Sequence, residues 1–114
     1  MDYLNAKLNK DRKLKIKEIK IEEFEVASGI QKKLILDCEE AGRNYTISEG
    51  VINGKNGLQK IGLWIDIDEN GMINSKNRGV RKLLENTNSE SLQELIEKEV
   101  PVIEFERYLT IKLD

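Results

Sequence analysis

The segment Ile61-Gly62-Leu63-Trp64-Ile65-Asp66-Ile67 decides the fold. Its isoleucines and leucine alternate with glycine, tryptophan and aspartate, which is the period-two pattern of a half-buried β-strand. We expect the isoleucines to face a core, and Trp64 and Asp66 to face the opposite side of the sheet. The strand should leave the sheet at Asn70-Gly71, because Asn-Gly is a strong hairpin signal. This reading predicts a chain built mainly from β-strands.

Strand patterns also fill the first half of the chain. A long first strand is expected over residues 13–27, with extra residues at Glu18 and near Glu22-Glu23. Such residues enter a strand as β-bulges and bend it. After a turn at Ser28-Gly29, a second strand is expected over residues 30–39. The side chains expected on its buried face are Leu34, Leu36 and Cys38.

Shorter strands follow the second one. A turn at residues 41–44 leads to a third strand over residues 45–51, and the Gly- and Asn-rich residues 53–57 form a loop. The last apolar pattern covers residues 100–113 and bends near Glu106-Arg107. It predicts a closing strand or hairpin.

Two helical patterns lie between the fourth strand and the closing strands. Ser75 can cap a helix that carries Leu83-Leu84 on its apolar side, and residues 86–89 break this helix. Ser91 and Glu94 then have capping-box spacing, which predicts a second helical turn.

The order of these elements predicts the fold class. A meander, a helical insert and closing strands indicate a mainly β chain with a helical insert (α+β), as a small OB-like barrel or a half-open β-roll of five to six strands. The length of 114 residues suits one domain. We expect a flexible or helical N-terminal arm over residues 1–12 and a single barrel-like domain over residues 13–114.

The composition argues against several functional classes. The chain has no histidine and one cysteine, so the commonest general base is missing and neither an internal disulfide nor a cysteine-based zinc site can form. Cys38 lies in a strand pattern and is expected in the core. We therefore predict no enzyme activity, no cofactor and no metal. No apolar run approaches the length of a membrane helix, and we expect a cytoplasmic protein.

A second interpretation applies to the end of the deciding segment. Asp66-x-Asp68-x-Asn70-Gly71 resembles an EF-hand calcium loop, and Gly71-x-Ile73-Asn74-Ser75 resembles dockerin modules. The resemblance implies calcium ligands at Asp66, Asp68 and Asn70. However, Asn77 stands at the twelfth position, where the family carries a carboxylate, and the chain has no second loop. We interpret the match as coincidental and keep a calcium-stabilised module as a third hypothesis.

Trp64 is a candidate binding residue. It lies on the polar face of its strand beside Gly62, where space for a flat ligand is expected, and aromatic side chains on barrel strands can stack on bases. The alternative is that another element covers Trp64 and makes it part of the core, since tryptophan is highly buried on average.

Basic residues cluster in two parts of an acidic chain. Residues 1–20 hold seven Lys or Arg against three acids, and residues 76–86 hold four against one, in a chain of net charge -2. A basic face could bind phosphates whatever the net charge. The alternative is a solvated strand edge and helix face. The residues predicted to bind nucleic acid, together with Trp64, are Lys15, Lys17, Arg78, Arg81 and Lys82.

The second half of the chain resembles small uncharacterised archaeal and phage proteins with OB-like barrels. The residues that carry the resemblance are Gly62-Leu63-Trp64-Ile65, Asn70-Gly71, Ser75, Leu83-Leu84, Ser91-Leu92, Leu95 and Glu99-Val100. It implies an OB-like fold and single-stranded nucleic-acid binding.

Two further functional hypotheses follow. The first is a small non-enzymatic module that binds single-stranded DNA or RNA through the basic face and Trp64. The second is a protein-interaction or structural module, such as a viral or plasmid accessory protein, that docks a partner or a second copy of itself. Neither hypothesis places the protein in a membrane.

Overall fold

The computed structural model describes residues 3–5 and 12–114. Within them, seven strands form one sheet in the order β3-β2-β1-β6-β7-β4-β5. Along the chain the elements are a 3₁₀ turn (Tyr3–Asn5), β1 (Arg12–Val26), β2 (Gly29–Glu40), β3 (Arg43–Ile47), β4 (Glu49–Gly54), β5 (Gly57–Gly62), α1 (Arg78–Asn86), a 3₁₀ helix (Leu92–Leu95), β6 (Glu99–Phe105) and β7 (Tyr108–Lys112).

The fold is mainly β with one helical insert among the described residues, as expected. The sheet is not closed into a barrel, so the OB-like part of the expectation is not confirmed. There are seven strands where five to six were predicted. Most of the predicted N-terminal arm lies outside the described residues, and Arg12 is already the first residue of β1.

A single β-bulge sets which side of β1 faces the core. The register with β2 runs through Ile16↔Cys38, shifts, and resumes at Glu18↔Asp37. The extra residue is Lys17, one position from the predicted bulge at Glu18. Because a one-residue slip moves a side chain to the other face, Leu14 and Ile16 before the bulge share the core side with Ile19 after it.

The second predicted bulge, near Glu22-Glu23, is wrong. The register continues without a shift from Glu18 to Val26, where the hairpin turns at residues 27–28. The predicted second strand is confirmed and slightly longer, and Leu34, Leu36 and Cys38 are buried as expected.

The deciding segment is not one continuous strand. β5 ends at Gly62, and the chain then crosses to β2, where the Leu34 N–H donates to the Leu63 carbonyl at 2.8 Å and the Ile65 N–H to the Lys32 carbonyl at 2.9 Å. Leu63 and Ile65 are buried as predicted. Ile67 is 65% exposed, against the prediction, because the chain has left the sheet by that point.

The predicted third strand divides into two. β3 ends at Ile47 and pairs with β2, whereas β4 begins at Glu49 and pairs with β5 and with β7. The intervening Ser48 uses its carbonyl to accept the Leu63 N–H at 3.1 Å. The residues that leave β5 therefore lie where the chain passes from β3 to β4.

Helix α1 closes one side of the core. Val80, Leu83 and Leu84 are buried, and a Cβ added at Gly79 would lie 2.8 Å from the Gly62 carbonyl oxygen, so the helix contacts the end of β5 directly. The predicted cap at Ser75 is wrong, since α1 begins at Arg78.

The remaining elements match the sequence pattern closely. The capping box of Ser91 and Glu94 is present, although it opens a 3₁₀ helix. The closing hairpin turns at Glu106-Arg107, as predicted, with φ of 52° and 73°. Such positive φ values at both turn residues are those of the tight turns that suit twisted hairpins.

The β1–β2 hairpin extends beyond the core. Its residues 20–32 are all exposed, and we call this part, together with Lys33, the hairpin arm (residues 20–33). Two large apolar residues of the arm lie on the face of the sheet that covers the core at the other end of the hairpin. They are Ile21, which is 50% exposed, and Ile30, which is 64% exposed. The molecule is accordingly elongated, with extents of 58 × 33 × 23 Å.

Deletion of Lys17 tests the bulge. Without the extra residue, Leu14 and Ile16 cannot face the core while Ile19 and Ile21 keep their register with β2. We expect the deletion to lower the midpoint of urea unfolding strongly or to abolish a cooperative transition. Lys17→Ala, which keeps the residue count, should change the midpoint little. A deletion variant as stable as the wild type would contradict the role of the bulge.

Candidate functional site

The predicted basic residues of β1 share one carboxylate. Lys17 Nζ lies 2.7 Å from Glu97 Oε1, and Lys15 Nζ lies 3.8 Å from Glu97 Oε2. The hydrogen bond to Lys17 lowers the pKa of Glu97, and the same bond raises the pKa of Lys17. Glu97 therefore compensates one of the two positive charges.

The basic residues of α1 divide between two places. Lys82 Nζ lies 2.7 Å from Asp114 Oδ1, a carboxylate that also accepts the Asn53 N–H at 2.6 Å. Both hydrogen bonds lower the pKa of Asp114, and the bond from Lys82 has the larger effect. The positive charge of Arg78 lowers this pKa further. Arg81 lies in a different depression of the surface, beside Ile65 and Met72. Among the described residues, no contact joins the cations of α1 to the cations of β1.

Trp64 is half-buried and has partners of its own. Its ring meets the edge of Phe24 at 5.9 Å between centroids and 83°, and Lys33 Nζ lies 4.9 Å from its centroid. A Cβ added at Gly62 would lie 2.5 Å from Trp64 Nε1. The indole of Trp64 therefore fills the space that was expected beside Gly62 for a flat ligand. Its contacts with Phe24 and Lys33 connect the hairpin arm to the segment that follows β5.

The calcium-like loop uses its oxygens to hold its own backbone. Asp68 Oδ1 accepts the N–H groups of Asn70 and Met72, both at 2.9 Å. Asn77 Oδ1 accepts the Asp66 N–H at 2.7 Å. Within residues 3–5 and 12–114, no group of three His, Cys, Asp or Glu side chains is arranged to hold a metal ion. These side chains act as turn residues do.

Asn77 joins the start of α1 to the segment that follows residues 63–65. Asn77 is 7% exposed, and its side chain makes no capping bond to α1 although it precedes the helix. Its oxygen accepts the N–H of Asp66, which faces away from β2 because Leu63 and Ile65 bond to β2. Beyond Ile65 the chain pairs with residues 72–74, where the Asp66 carbonyl accepts the Asn74 N–H at 2.9 Å.

This path of the chain leaves an apolar groove that sequence reasoning did not predict. The groove consists of two adjoining depressions that share Ile65, Ile67 and Leu92. One of them reaches the core-facing side of the hairpin arm, and the other runs beside residues 71–73 to α1. Four of its apolar side chains are exposed by half or more: Ile21, Ile30, Ile67 and Met72. Large apolar residues that gather on one surface mark interaction sites.

The rim of the groove is acidic. Its lining includes the carboxylates of Glu23, Asp66, Glu85 and Glu90 and two cations, Lys32 and Arg81. None of these four carboxylates forms an ion pair with another described residue. The groove lining thus has two more carboxylates than cations, although Lys32 lies directly opposite Glu23 on the neighbouring strand. Lys15, Lys17 and Lys82, in contrast, form ion pairs.

The backbone of β2 is also free at the groove. In an antiparallel ladder, hydrogen-bonded and non-bonded pairs alternate. The Leu34 N–H and the Lys32 carbonyl bond to residues 63–65, on the side of β2 that faces away from β1. By the same alternation, the N–H and the carbonyl of Ile30 point to that side of β2. No described strand pairs with that edge at Ile30, because the chain has already left at Ile65.

Cys38 belongs to the core, as predicted. Its side chain is 1% exposed, and burial raises the pKa of the thiol to about 12. A thiol that stays protonated is a weak nucleophile.

The comparisons with family models, with curated proteins and with solved structures find no match for this chain. Its functional class has to be argued from its own geometry. In the part of the chain that the structure describes, no helix has the length and apolar character needed to cross a bilayer.

The Lys17–Glu97 pair makes the acid stability of the protein testable. A carboxylate whose pKa is lowered by folding stabilises the protein at a pH above the pKa of the same group in the unfolded chain, which is about 4.5 for glutamate. This stabilisation is lost as the pH falls through the lower pKa of the folded protein. We expect Glu97 to titrate below 4.5 in an NMR titration, and Lys17→Ala to move its pKa back toward 4.5.

Lys13→Ala is the matched control on the same strand and should leave the titration of Glu97 unchanged. The urea midpoint of the wild type should fall below about pH 4.5, and Lys17→Ala should reduce this fall. A wild-type Glu97 that titrates at or above 4.5 would show that the ion pair is absent in solution.

Proposed function

We propose that the protein is a non-enzymatic protein-interaction module, and that the hairpin arm and the apolar groove receive a segment of a partner protein. The observation that carries the proposal is the gathering of Ile21, Ile30, Ile67 and Met72, all at least half exposed, along two adjoining depressions with a free strand edge beside one of them.

The energetic argument concerns what the exposed groups would gain. Burial of apolar surface is worth roughly 25 cal/mol per Å², so covering several half-exposed isoleucines supplies a substantial driving force for association. The same residues contribute little to the isolated fold, whose core is formed by Leu34, Leu36, Leu63 and their buried neighbours. A projecting hairpin with an apolar side is therefore suited to contact with another chain.

The charges favour a protein partner over a nucleic acid. Phosphate binding requires cations that are free to replace counterions. Lys15, Lys17 and Lys82 are held by carboxylates, and the exposed apolar surface has an acidic rim that repels phosphate. Single-stranded nucleic-acid binding stays a prediction, as does the resemblance to OB-like proteins, and the protein-interaction proposal depends on neither.

A peptide-display selection tests the proposal. Wild-type protein is used to select from a random peptide library, and the selected peptides are measured against Ile21→Glu/Ile30→Glu by biolayer interferometry. We expect binding to weaken at least tenfold, because two charges would enter the groove. Leu58→Glu, which changes an exposed apolar residue on β5, is the matched control and should keep wild-type affinity.

Circular dichroism melts of each variant establish that the fold is kept. Peptides that bind the hairpin variant as tightly as the wild type, or a selection that yields no groove-dependent peptide, would contradict the proposal. In parallel, oligo-dT at low salt should leave the fluorescence of Trp64 unchanged. Steeply salt-dependent quenching would favour the nucleic-acid hypothesis instead.

A further inference from the structure

We infer that the groove binds an extended segment in which apolar residues alternate with Lys or Arg, and that this segment adds as a strand to the free edge of β2 at Ile30. The inference rests on the proposed function and specifies the chemistry and conformation of the partner segment.

The first step concerns the backbone. Residues 63–65 pair with β2 through the Leu34 N–H and the Lys32 carbonyl. A strand that continued in the same direction would next meet Ile30, but residues 66–68 pair with residues 72–74 and no described bond joins them to Ile30. The position of that missing continuation borders the groove, which is lined by Ile30 and Lys32 on one side and by residues 65–67 on the other.

The second step concerns the apolar side chains. In a strand, every second side chain points to the same face. A strand added at Ile30 would direct alternate side chains toward the side of the arm that carries Ile21 and Ile30, with Ile67 opposite them. Apolar residues at alternate positions of the partner segment would therefore be buried, and the backbone bonds would fix its register, as in other cases of strand addition.

The third step concerns charge. Glu23 and Asp66 line the depression beside Ile30, and Glu85 and Glu90 line the adjoining depression. Their carboxylates have no described ion-pair partner, against two cations in the lining, Lys32 and Arg81. Basic residues in the segment would compensate this charge, while acidic ones would add like-charge repulsion, which opposes binding and specifies the partner.

Two synthetic peptides of equal length test the inference, acetyl-Lys-Val-Lys-Ile-Lys-Val-Lys-amide and its counterpart with Glu in place of each Lys. By isothermal titration at 50 mM salt, we expect the basic peptide to bind at least tenfold more tightly than the acidic one. Its affinity should fall with added salt, because ions screen exposed charges. A basic peptide with an N-methyl group on its central Ile should bind at least fivefold more weakly, since strand pairing needs the backbone N–H.

Matched protein variants locate the effect. Glu90→Lys should weaken binding of the basic peptide several-fold and strengthen that of the acidic one, whereas Glu104→Lys, the same charge reversal at an exposed residue of β6, should change neither. Equal affinity for both peptides, or an N-methylated peptide that binds as well as the parent, would overturn the inference. If the display selection also gives groove-dependent peptides without basic residues, the proposed function stands and only the inference fails; if it gives none, both fail.

Discussion

The path of the chain after Ile65 is the constraint on which the groove depends. Asn77 Oδ1 accepts the Asp66 N–H at 2.7 Å, the Asp66 carbonyl accepts the Asn74 N–H at 2.9 Å, and the Asp68 N–H donates to the Met72 carbonyl at 2.9 Å. These bonds hold residues 66–68 against the loop that leads to α1, with Asn77 at the entrance of the helix. No described strand lies beside Ile30 in their place, so the edge of β2 stays open there.

The bulge at Lys17 is the second constraint, and it acts on the other side of the groove. Because it moves the apolar residues of β1 from even to odd positions, Ile19 and Ile21 continue the core face beyond the point where the helical elements cover it. The hairpin arm is thus an extension of the core face without a core partner. Both sides of the groove follow from local features: one extra residue in a strand, and the pairing of residues 66–68 with residues 72–74.

Much of the fold could be predicted from local patterns. The alternation of Leu34, Leu36 and Cys38, the capping box of Ser91 and Glu94, and the turn at Glu106-Arg107 depend on residues close together in the chain, and the structure confirms them. The end of β5 at Gly62 and the exposure of Ile67 could not be predicted in this way. Both depend on where residues 63–65 meet Lys32 and Leu34, which are far away in the sequence.

In the candidate site, too, the features that depend on residues far apart in the sequence could not be predicted. Sequence reasoning identified cations but could not see that three of them would form ion pairs with Glu97 and Asp114, because these pairs join residues far apart in the sequence. The groove was missed because its apolar residues lie in five separate segments: β1, β2, residues 65–73, α1 and the 3₁₀ helix. The exposed positions of Ile21 and Ile30 near the hairpin turn were the available signal, and the pattern of a long strand concealed it.

Hydrogen exchange at the hairpin arm, followed by NMR, measures the open edge directly. Gln31 and Lys33 pair with β1, so their amides should be protected, whereas the Ile30 amide points outward and should exchange rapidly in the free protein. Addition of a groove-binding peptide should slow the exchange of Ile30 and leave the other two little changed. An Ile30 amide as protected as Gln31 in the free protein would mean that the edge is already covered, and the account of the groove would be wrong.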